Sequence, residues 1–386
     1  MPVINKITIQ GVRRLRDVQL NLRPLMVMIG ANGVGKTSLL DALSLLAASA
    51  AGRLNQSLND LGGVADICTR GSPDGLALGA EMDCPGDVPL KYRLHLGTKG
   101  PTYFIAEEHL IQQRKGFPRP FKHLETIHGQ VSYYRVDKDC LAQPDWDHDP
   151  TESGLSQVPK MFKQPEEFRR ILSSATQYHV LDVGKRAPVK LPQQMRPATL
   201  PGANGEDLVS LLYTLRESDR DRYDMIEDSL KAAFPGFESM NFPPAAAGML
   251  SLTWKEKAFN HPLYIHQLSE GTLRFLWLAC LLQSPGLSTV TLIDEPEVSL
   301  HPELLSLVAD LLREASTKTQ VIVATHSDRL IGFLKPHEVL VLDVDDAGHT
   351  SATWGDAMDL DQWLKDYSLD EIWRMGVMGG RSCESP

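Results

Sequence analysis

The octapeptide Gly30-Ala31-Asn32-Gly33-Val34-Gly35-Lys36-Thr37 narrows what this chain can fold into more than any other feature. It satisfies in full the pattern of a glycine, four free positions, then Gly-Lys-Thr. Leu25–Ile29 before it is a continuous apolar run, as in a buried strand, and Thr37–Ala51 after it is rich in the helix formers Leu and Ala. Strand, glycine loop and helix in that order make a phosphate-binding loop. Glycines let backbone N–H groups turn toward an anion at the positive end of the helix. Lys36 would reach β/γ oxygens, and the Thr37 hydroxyl would hold Mg²⁺. Gly30, Asn32, Gly33, Gly35, Lys36, Thr37 and Ser38 are therefore the candidate phosphate contacts.

A second apolar run, Val290–Ile293, ends in Asp294-Glu295. A buried strand ending in two adjacent carboxylates, beside the strand that carries the phosphate loop, would place Asp294 in the Mg²⁺ shell and Glu295 as general base on an attacking water. Val321–Ala324 leads to Thr325-His326-Ser327, so His326 falls just past a neighbouring strand and could donate to a γ-phosphate oxygen. Leu268-Ser269-Glu270-Gly271-Thr272 opens a helix 25 residues before Asp294. A serine hydroxyl and a glycine N–H at a helix start can bind an anion, which makes Ser269 and Gly271 candidates.

The remaining pattern organises around these motifs. Residues 3–10 and 16–22 alternate like half-buried strands, and LALGAEM, LKYRLHL and TYFIAE between 76 and 107 read as an antiparallel meander. Residues 206–217 and 222–234 are amphipathic helices, and from 289 to 343 strands and helices alternate, implying a parallel sheet flanked by helices. The expected division is an N-terminal lobe at 1–110, an inserted irregular or helical arm at 111–200, and a C-terminal lobe at 201–386. The fold class is α/β: a mostly parallel sheet flanked by helices, with an N-terminal antiparallel β subdomain.

Charge and cysteine usage exclude some classes. With 39 Lys/Arg against 49 Asp/Glu the formal charge is −10, which argues against a whole-surface nucleic-acid binder. Residues 111–196 run the other way, with 14 basic and 10 acidic residues. That basic-leaning stretch (Arg114, Lys115, Arg119, Lys122, Lys160 and Lys163, then Arg169, Arg170, Lys185 and Arg186) reads as a solvated surface, since acids sit among the bases; contact with the phosphates of DNA or with an acidic partner is the other reading. Five scattered cysteines without a CxxC pair suggest reduced thiols and a cytoplasmic protein. The longest apolar stretches fall short of the roughly 18 residues that span a bilayer, and the first ten residues lack a signal-like apolar segment, so neither membrane insertion nor export is expected.

Taken together the motifs resemble an ABC-type ATPase head. In that family the LSGGQ-like signature of one subunit completes the nucleotide site of another, so two ATP molecules are sandwiched in a dimer. Here the signature is LSEGT, with Glu270 where transporters carry glycine. Glu297-Val298-Ser299-Leu300-His301-Pro302 resembles the D-loop of RecF, SMC and OLD-type ATPases, and Gly11-Val12-Arg13-Arg14-Leu15 lies where those relatives place a phosphate-contacting arginine, which implies Arg13. GEDLVSLLYTL at 205–215, FPGF at 234–237 and the tail at 363–380 resemble stand-alone predicted ATPases of the RecF-like group in bacteria. The resemblance covers residues 1–70 and 200–380. A Q-loop glutamine is expected, and Gln112 and Gln113 are poor candidates for it.

Lys36 and Asp294 are 258 residues apart, which disfavours a transporter ATPase, and the lack of sustained heptads disfavours the long coiled coils of SMC proteins. Asp343, Asp345 and Asp346 echo the metal-binding DxD of a Toprim domain, but too little chain follows to build one, so they read as an acidic hairpin turn. The resemblance implies ATP and Mg²⁺ as ligands, catalysis by Lys36, Glu295 and His326, and a homodimer or higher homo-oligomer. It also implies an ATP-gated switch in DNA repair or antiphage defence, with DNA and a separately encoded nuclease or other effector as partners. The other reading is a slowly hydrolysing, ATP-dependent protein-binding sensor or scaffold that does not touch DNA.

Overall fold

Alternation in the first 21 residues builds two paired strands, and the apolar run after them builds a third. The computed structural model describes residues 3–71, 75–84, 88–114, 116–135, 137–159 and 163–379. In chain order its main elements are β1 (Ile4–Val12), β2 (Leu15–Asn21), β3 (Leu25–Ile29), α1 (Lys36–Ala51), β4 (Leu76–Met82), β5 (Leu90–Lys99), β6 (Thr102–Gln112), β7 (Phe121–Ile127), β8 (Gln130–Arg135) and β9 (Cys140–Ala142). There follow α2 (Lys163–Ser173), α3 (Leu208–Ser218), α4 (Arg220–Ala233), α5 (Glu270–Leu282), β10 (Val290–Asp294), α6 (Leu305–Ser316), β11 (Gln320–Ala324), β12 (Val339–Val344) and β13 (Thr350–Trp354). The chain divides into two compact units. One takes in residues up to Gln177, Pro336–Leu360 and the stretch from Gly376; the other takes in Tyr178–Lys335 and Asp361–Met375.

The first unit holds an eight-stranded antiparallel sheet in the order β2-β1-β4-β5-β6-β7-β8-β9. Registers such as Ile7↔Ala80 and Leu78↔Leu94 line up alternate apolar residues, and Ile7, Ile9, Leu78 and Leu94 are buried. α1 is buried almost all round and packs on α2, whose Phe168 ring lies 5.6 Å from that of Tyr92. The same unit contains a parallel pair, β3 with β12 (Val27↔Val339, Ile29↔Val341), extended by β13 antiparallel to β12.

The sheet corrects the expected layout. Residues 121–142, read as part of an irregular arm, form β7, β8 and β9 and continue the antiparallel meander. Their alternation is short, and Pro118, Pro120 and the His128-Gly129 turn break it into pieces too small to stand out. The helical part of the arm is present as α2.

The second unit is built on the parallel pair β10 and β11, in register from Val290↔Gln320 to Asp294↔Ala324. So β10 takes β11 as its parallel partner and β3 takes β12, in place of the expected pairing of the carboxylate strand with the loop strand. The connection runs through α6, which buries Leu305, Val308, Ala309, Leu312 and Ala315. A small antiparallel sheet at 237–264 packs Phe237 against Trp254, ring centroids 4.3 Å apart. Among the described residues no helix is long and apolar enough to cross a membrane, and Cys68, Cys84, Cys140 and Cys280 are free thiols. Cys383, Gly380, Lys115 and Lys160 lie outside the described residues.

Candidate functional site

The phosphate loop belongs to the first unit. It leaves β3 at Ile29 and enters α1 at Lys36, with Gly35 as N-cap at φ 111° and no side chain capping the helix. That φ suits glycine. At Gly30 a Cβ would come 2.4 Å from the Leu342 carbonyl oxygen, so any side chain there would push the loop off β12. The Thr350 hydroxyl donates a 2.6 Å hydrogen bond to the Val34 carbonyl and thereby clasps the loop to the start of β13. Lys36 is buried and folds back, its Nζ donating to the carbonyls of Gly30 (2.6 Å) and Ala31 (3.1 Å).

Asn32, Gly33 and Thr37 are exposed on the outer side of the loop, while Ser38 is buried. A helix of 16 residues with no side-chain cap, a lysine at its first position and an exposed threonine hydroxyl fit a polyphosphate. Arg13 sits on the flank of the same helix. Its backbone is in the left-handed region (φ 46°), and its guanidinium donates to Asp41 at 2.6 Å and to Ser38 Oγ at 3.5 Å. Asp41 thus anchors Arg13 one turn beyond Thr37. Gln112 is buried and committed to the Val88 carbonyl, which leaves it no part in this loop.

The carboxylates belong to the second unit. β10 ends at Asp294, and Glu295 follows with φ 50°, an uncommon backbone conformation for a residue with a Cβ. Such a residue stores about 1–3 kcal/mol of strain and persists only where its surroundings hold it. Here the Glu295 N–H donates to the Ala324 carbonyl at 2.8 Å, tying the turn to the end of β11. The result brings Glu295 Oε1 within 3.5 Å of His326 Nε2, both side chains part-exposed. The parallel register that pairs Asp294 with Ala324 is what sets His326 beside Glu295.

Sequence reasoning gave Glu297 no role of its own. Its Oε1 accepts from the Thr325 hydroxyl (2.6 Å), the His326 N–H (2.9 Å) and the Ser327 N–H (3.2 Å), which makes it the strut of the histidine loop. Only the run of acids after β10 hints at it in the sequence.

Ser269 is the N-cap of α5, its Oγ accepting from the Thr272 N–H at 3.1 Å, and it is exposed. A Cβ on Gly271 would come 2.7 Å from the Ser299 carbonyl oxygen, so glycine there lets α5 lie against the turn after β10. Arg274 reinforces that contact, donating to Ser299 Oγ at 2.5 Å and to the Val298 carbonyl at 3.3 Å. Arg274 is a second residue that sequence reasoning missed.

Thr37 in the first unit and Asp294 in the second each offer an oxygen donor of the kind Mg²⁺ takes, an ion held through one or two protein oxygens together with phosphates. Among the described residues no group of three or more His, Cys, Asp or Glu gathers to hold an ion unaided. Lys122 pairs with Glu125 at 2.5 Å, Arg169 pairs with Glu166, and Arg114 lies 3.7 Å over the Phe121 ring, while Lys185 and Arg186 belong to the other unit.

A protein-family model described as "AAA domain, putative AbiEii toxin, Type IV TA system" matches residues 25–332, a span that takes in the phosphate loop, Ser269, the Asp294-Glu295 pair and His326. Among solved structures the chain is similar to an SMC head bound to the C-winged helix domain of ScpA (TM-score 0.56, 16% identity, covering 91% of this chain and 97% of that one). It is also similar to an SMC head with an extended coiled coil, bound to the C-terminal domain of ScpA, from Pyrococcus furiosus (TM-score 0.53, 14% identity, 97% and 100% covered). A third is the SMC head with coiled coil and joint from Pyrococcus yayanosii (TM-score 0.50, 13% identity, 97% and 100% covered). At these identities the likeness is one of fold: a P-loop ATPase head of mixed sheets and helices. No curated protein matches the sequence.

Proposed function

The chain belongs to this family of AAA ATPase domains, and on that premise we propose that it binds and hydrolyses ATP as a dimeric switch. The observation that carries the reading is the placement of Glu295 and His326, 3.5 Å apart at the ends of two parallel strands. A carboxylate held by a strained turn is fixed in direction, as a general base on water must be, and the adjacent histidine can donate to a γ-phosphate oxygen. Lys36, released from the Gly30 and Ala31 carbonyls, would meet the β/γ oxygens, while the N–H groups at the start of α1, with Gly30, Asn32, Gly33, Gly35 and Ser38, cradle the phosphates. Arg13 would add a phosphate contact from the flank. The Thr37 hydroxyl and the Asp294 carboxylate would hold Mg²⁺, which would supply charge neutralisation on the phosphates.

Exposed Ser269, with the Gly271 N–H behind it at the tip of α5, serves the nucleotide of a second copy. ATP then makes its bridging contacts in the closed dimer alone, and hydrolysis loosens it. In this reading the protein is a bacterial, RecF- and OLD-like cytoplasmic ATPase acting in DNA repair or antiphage defence through a separately encoded effector such as a nuclease. The toxin–antitoxin wording of the family description supports a defence role.

A second reading, an ATP-dependent protein-binding sensor that does not touch DNA, draws on a specific observation. Within the 111–196 stretch Lys122 and Arg169 are paired locally, with Glu125 and Glu166. Two SMC heads of the same fold were solved with domains of the protein ScpA bound. Turnover of the purified protein with Mg²⁺, with and without duplex DNA across a salt series, separates the readings. Stimulation that falls steeply with salt supports the DNA-linked switch. Turnover indifferent to DNA, with a protein that co-purifies in defined stoichiometry, supports the sensor. No turnover under any condition contradicts both.

A further inference from the structure

We propose that the first unit carries a second anion site, separate from the phosphate loop, that takes a compact phosphate-bearing ligand and acts on the loop through Thr350. The site is an open cavity of about 620 Å³ whose wall includes Arg16, Arg70, Arg93, His95 and His349. The remaining wall is formed in part by Gly11, Gly71 and Gly75, which bring backbone rather than side chain to the space. Thr69 is also on the wall.

The cations are aimed rather than scattered. Gln10 accepts from Arg93 at 2.9 Å and itself donates to Asp17 at 3.1 Å, so the guanidinium is held in place on the wall. Arg16 lies 3.4 Å from His349 Nε2, and Asp345 lies 3.7 Å from His349 Nδ1. Guanidinium forks match phosphate oxygens in geometry as well as in charge.

The ligand is compact because the positive charge ends abruptly. Beyond Arg93 the adjoining groove on the same sheet pairs Lys91 with Glu81 at 3.1 Å and sets His109 between Glu107 and Glu125. A long polyanionic strand would have to cross those acids, whereas a short oligophosphate would not.

The link to the loop is covalent and short. His349 adjoins Thr350, whose hydroxyl holds the Val34 carbonyl at 2.6 Å and whose N–H donates to the Arg14 carbonyl at 3.1 Å. A ligand that draws Arg16 and His349 together therefore bears on both attachments of Thr350, and any change in nucleotide affinity must be reciprocated at this site.

The test uses the full chain carrying Lys36→Ala, which keeps the phosphate loop from taking the probe, and measures binding of inorganic tripolyphosphate and of a 5′-phosphorylated dinucleotide by calorimetry. Saturable one-to-one binding of either probe is expected, the tighter one naming the source of the phosphate. Arg70→Gln and Arg93→Gln, both at exposed positions, should each weaken it about tenfold, the loss of one charged hydrogen bond. Thr350→Val should leave that binding intact while abolishing, in the chain with Lys36 restored, any effect of the probe on ATP affinity beyond simple competition at the loop. Binding unchanged in the Arg70→Gln/Arg93→Gln double variant, no saturable binding of either probe, or binding of long duplex DNA alone would overturn the proposal. The calorimetric result stands apart from turnover, so failure of the ATPase reading would not be mistaken for failure of this one.

Discussion

The Thr325 hydroxyl donates a 2.6 Å hydrogen bond to Glu297 Oε1, across 28 residues of chain, and the same oxygen accepts the backbone N–H groups of His326 and Ser327. Glu297 therefore fixes where His326 points without having to touch a substrate. Removing it in Glu297→Ala should lower kcat by between about 10- and 100-fold while leaving the Kd for ATP unchanged, because a displaced positioning loop costs rate more than binding. Glu297→Gln keeps an acceptor oxygen in place and should retain most of the activity. Steady-state kinetics with a separate nucleotide-binding assay decides it; equal losses in the two variants would show that the charge matters and not the strut.

Ser269 and Lys36 are assigned to the same nucleotide from different copies of the chain. Lys36→Ala and Ser269→Arg should each be inactive alone, the first for want of the phosphate contact and the second because a long cation fills the tip of α5. Mixed together, they should regain turnover, since a heterodimer contains one site with both residues intact. The check is turnover against mixing ratio. A mixture as inactive as its components would mean that Ser269 does not act across a dimer.

Glu108 offers a stability test remote from the site. It is fully buried and accepts from the Tyr92 and Thr126 hydroxyls and from the N–H groups of Gly154 and Leu155, at 2.7–3.1 Å. Burial still outweighs those four donors and raises its pKa above the ordinary carboxylate value. With a raised folded-state pKa, its contribution to stability is full below about 4.3, the unfolded value, and is lost as pH rises through the folded one. The stability of the wild type relative to Glu108→Gln should therefore fall as pH rises above about 4.3, read from urea midpoints. A gap that is constant or widens with pH would contradict this.

What could be read from the sequence is what is local in the chain. The strand, loop and helix around Gly30–Thr37 and the N-cap at Ser269 lie where short-range pattern puts them, because propensity and capping act over a few residues. Strands β7–β9 were hidden because their stability comes from cross-strand pairs such as Leu124↔Tyr133, and proline and glycine chop the alternation that would reveal them. The pairing of β10 with β11 and the roles of Glu297 and Arg274 depend on contacts between segments 24–30 residues apart. Periodicity does not encode such contacts. The left-handed turn at Glu295 is equally silent, since nothing about a glutamate before proline announces a positive φ.

The most direct test of the account is ATP turnover together with oligomeric mass for the wild type and Glu295→Gln. The variant keeps the loop, Asp294 and His326 but loses the base, so turnover should fall by about 10²–10⁴-fold. With hydrolysis blocked, ATP and Mg²⁺ should shift its mass to a stable dimer, while ADP should not. A variant that turns over ATP like the wild type, or that never changes mass with ATP, would contradict the proposal that Glu295 fires an ATP-gated dimer.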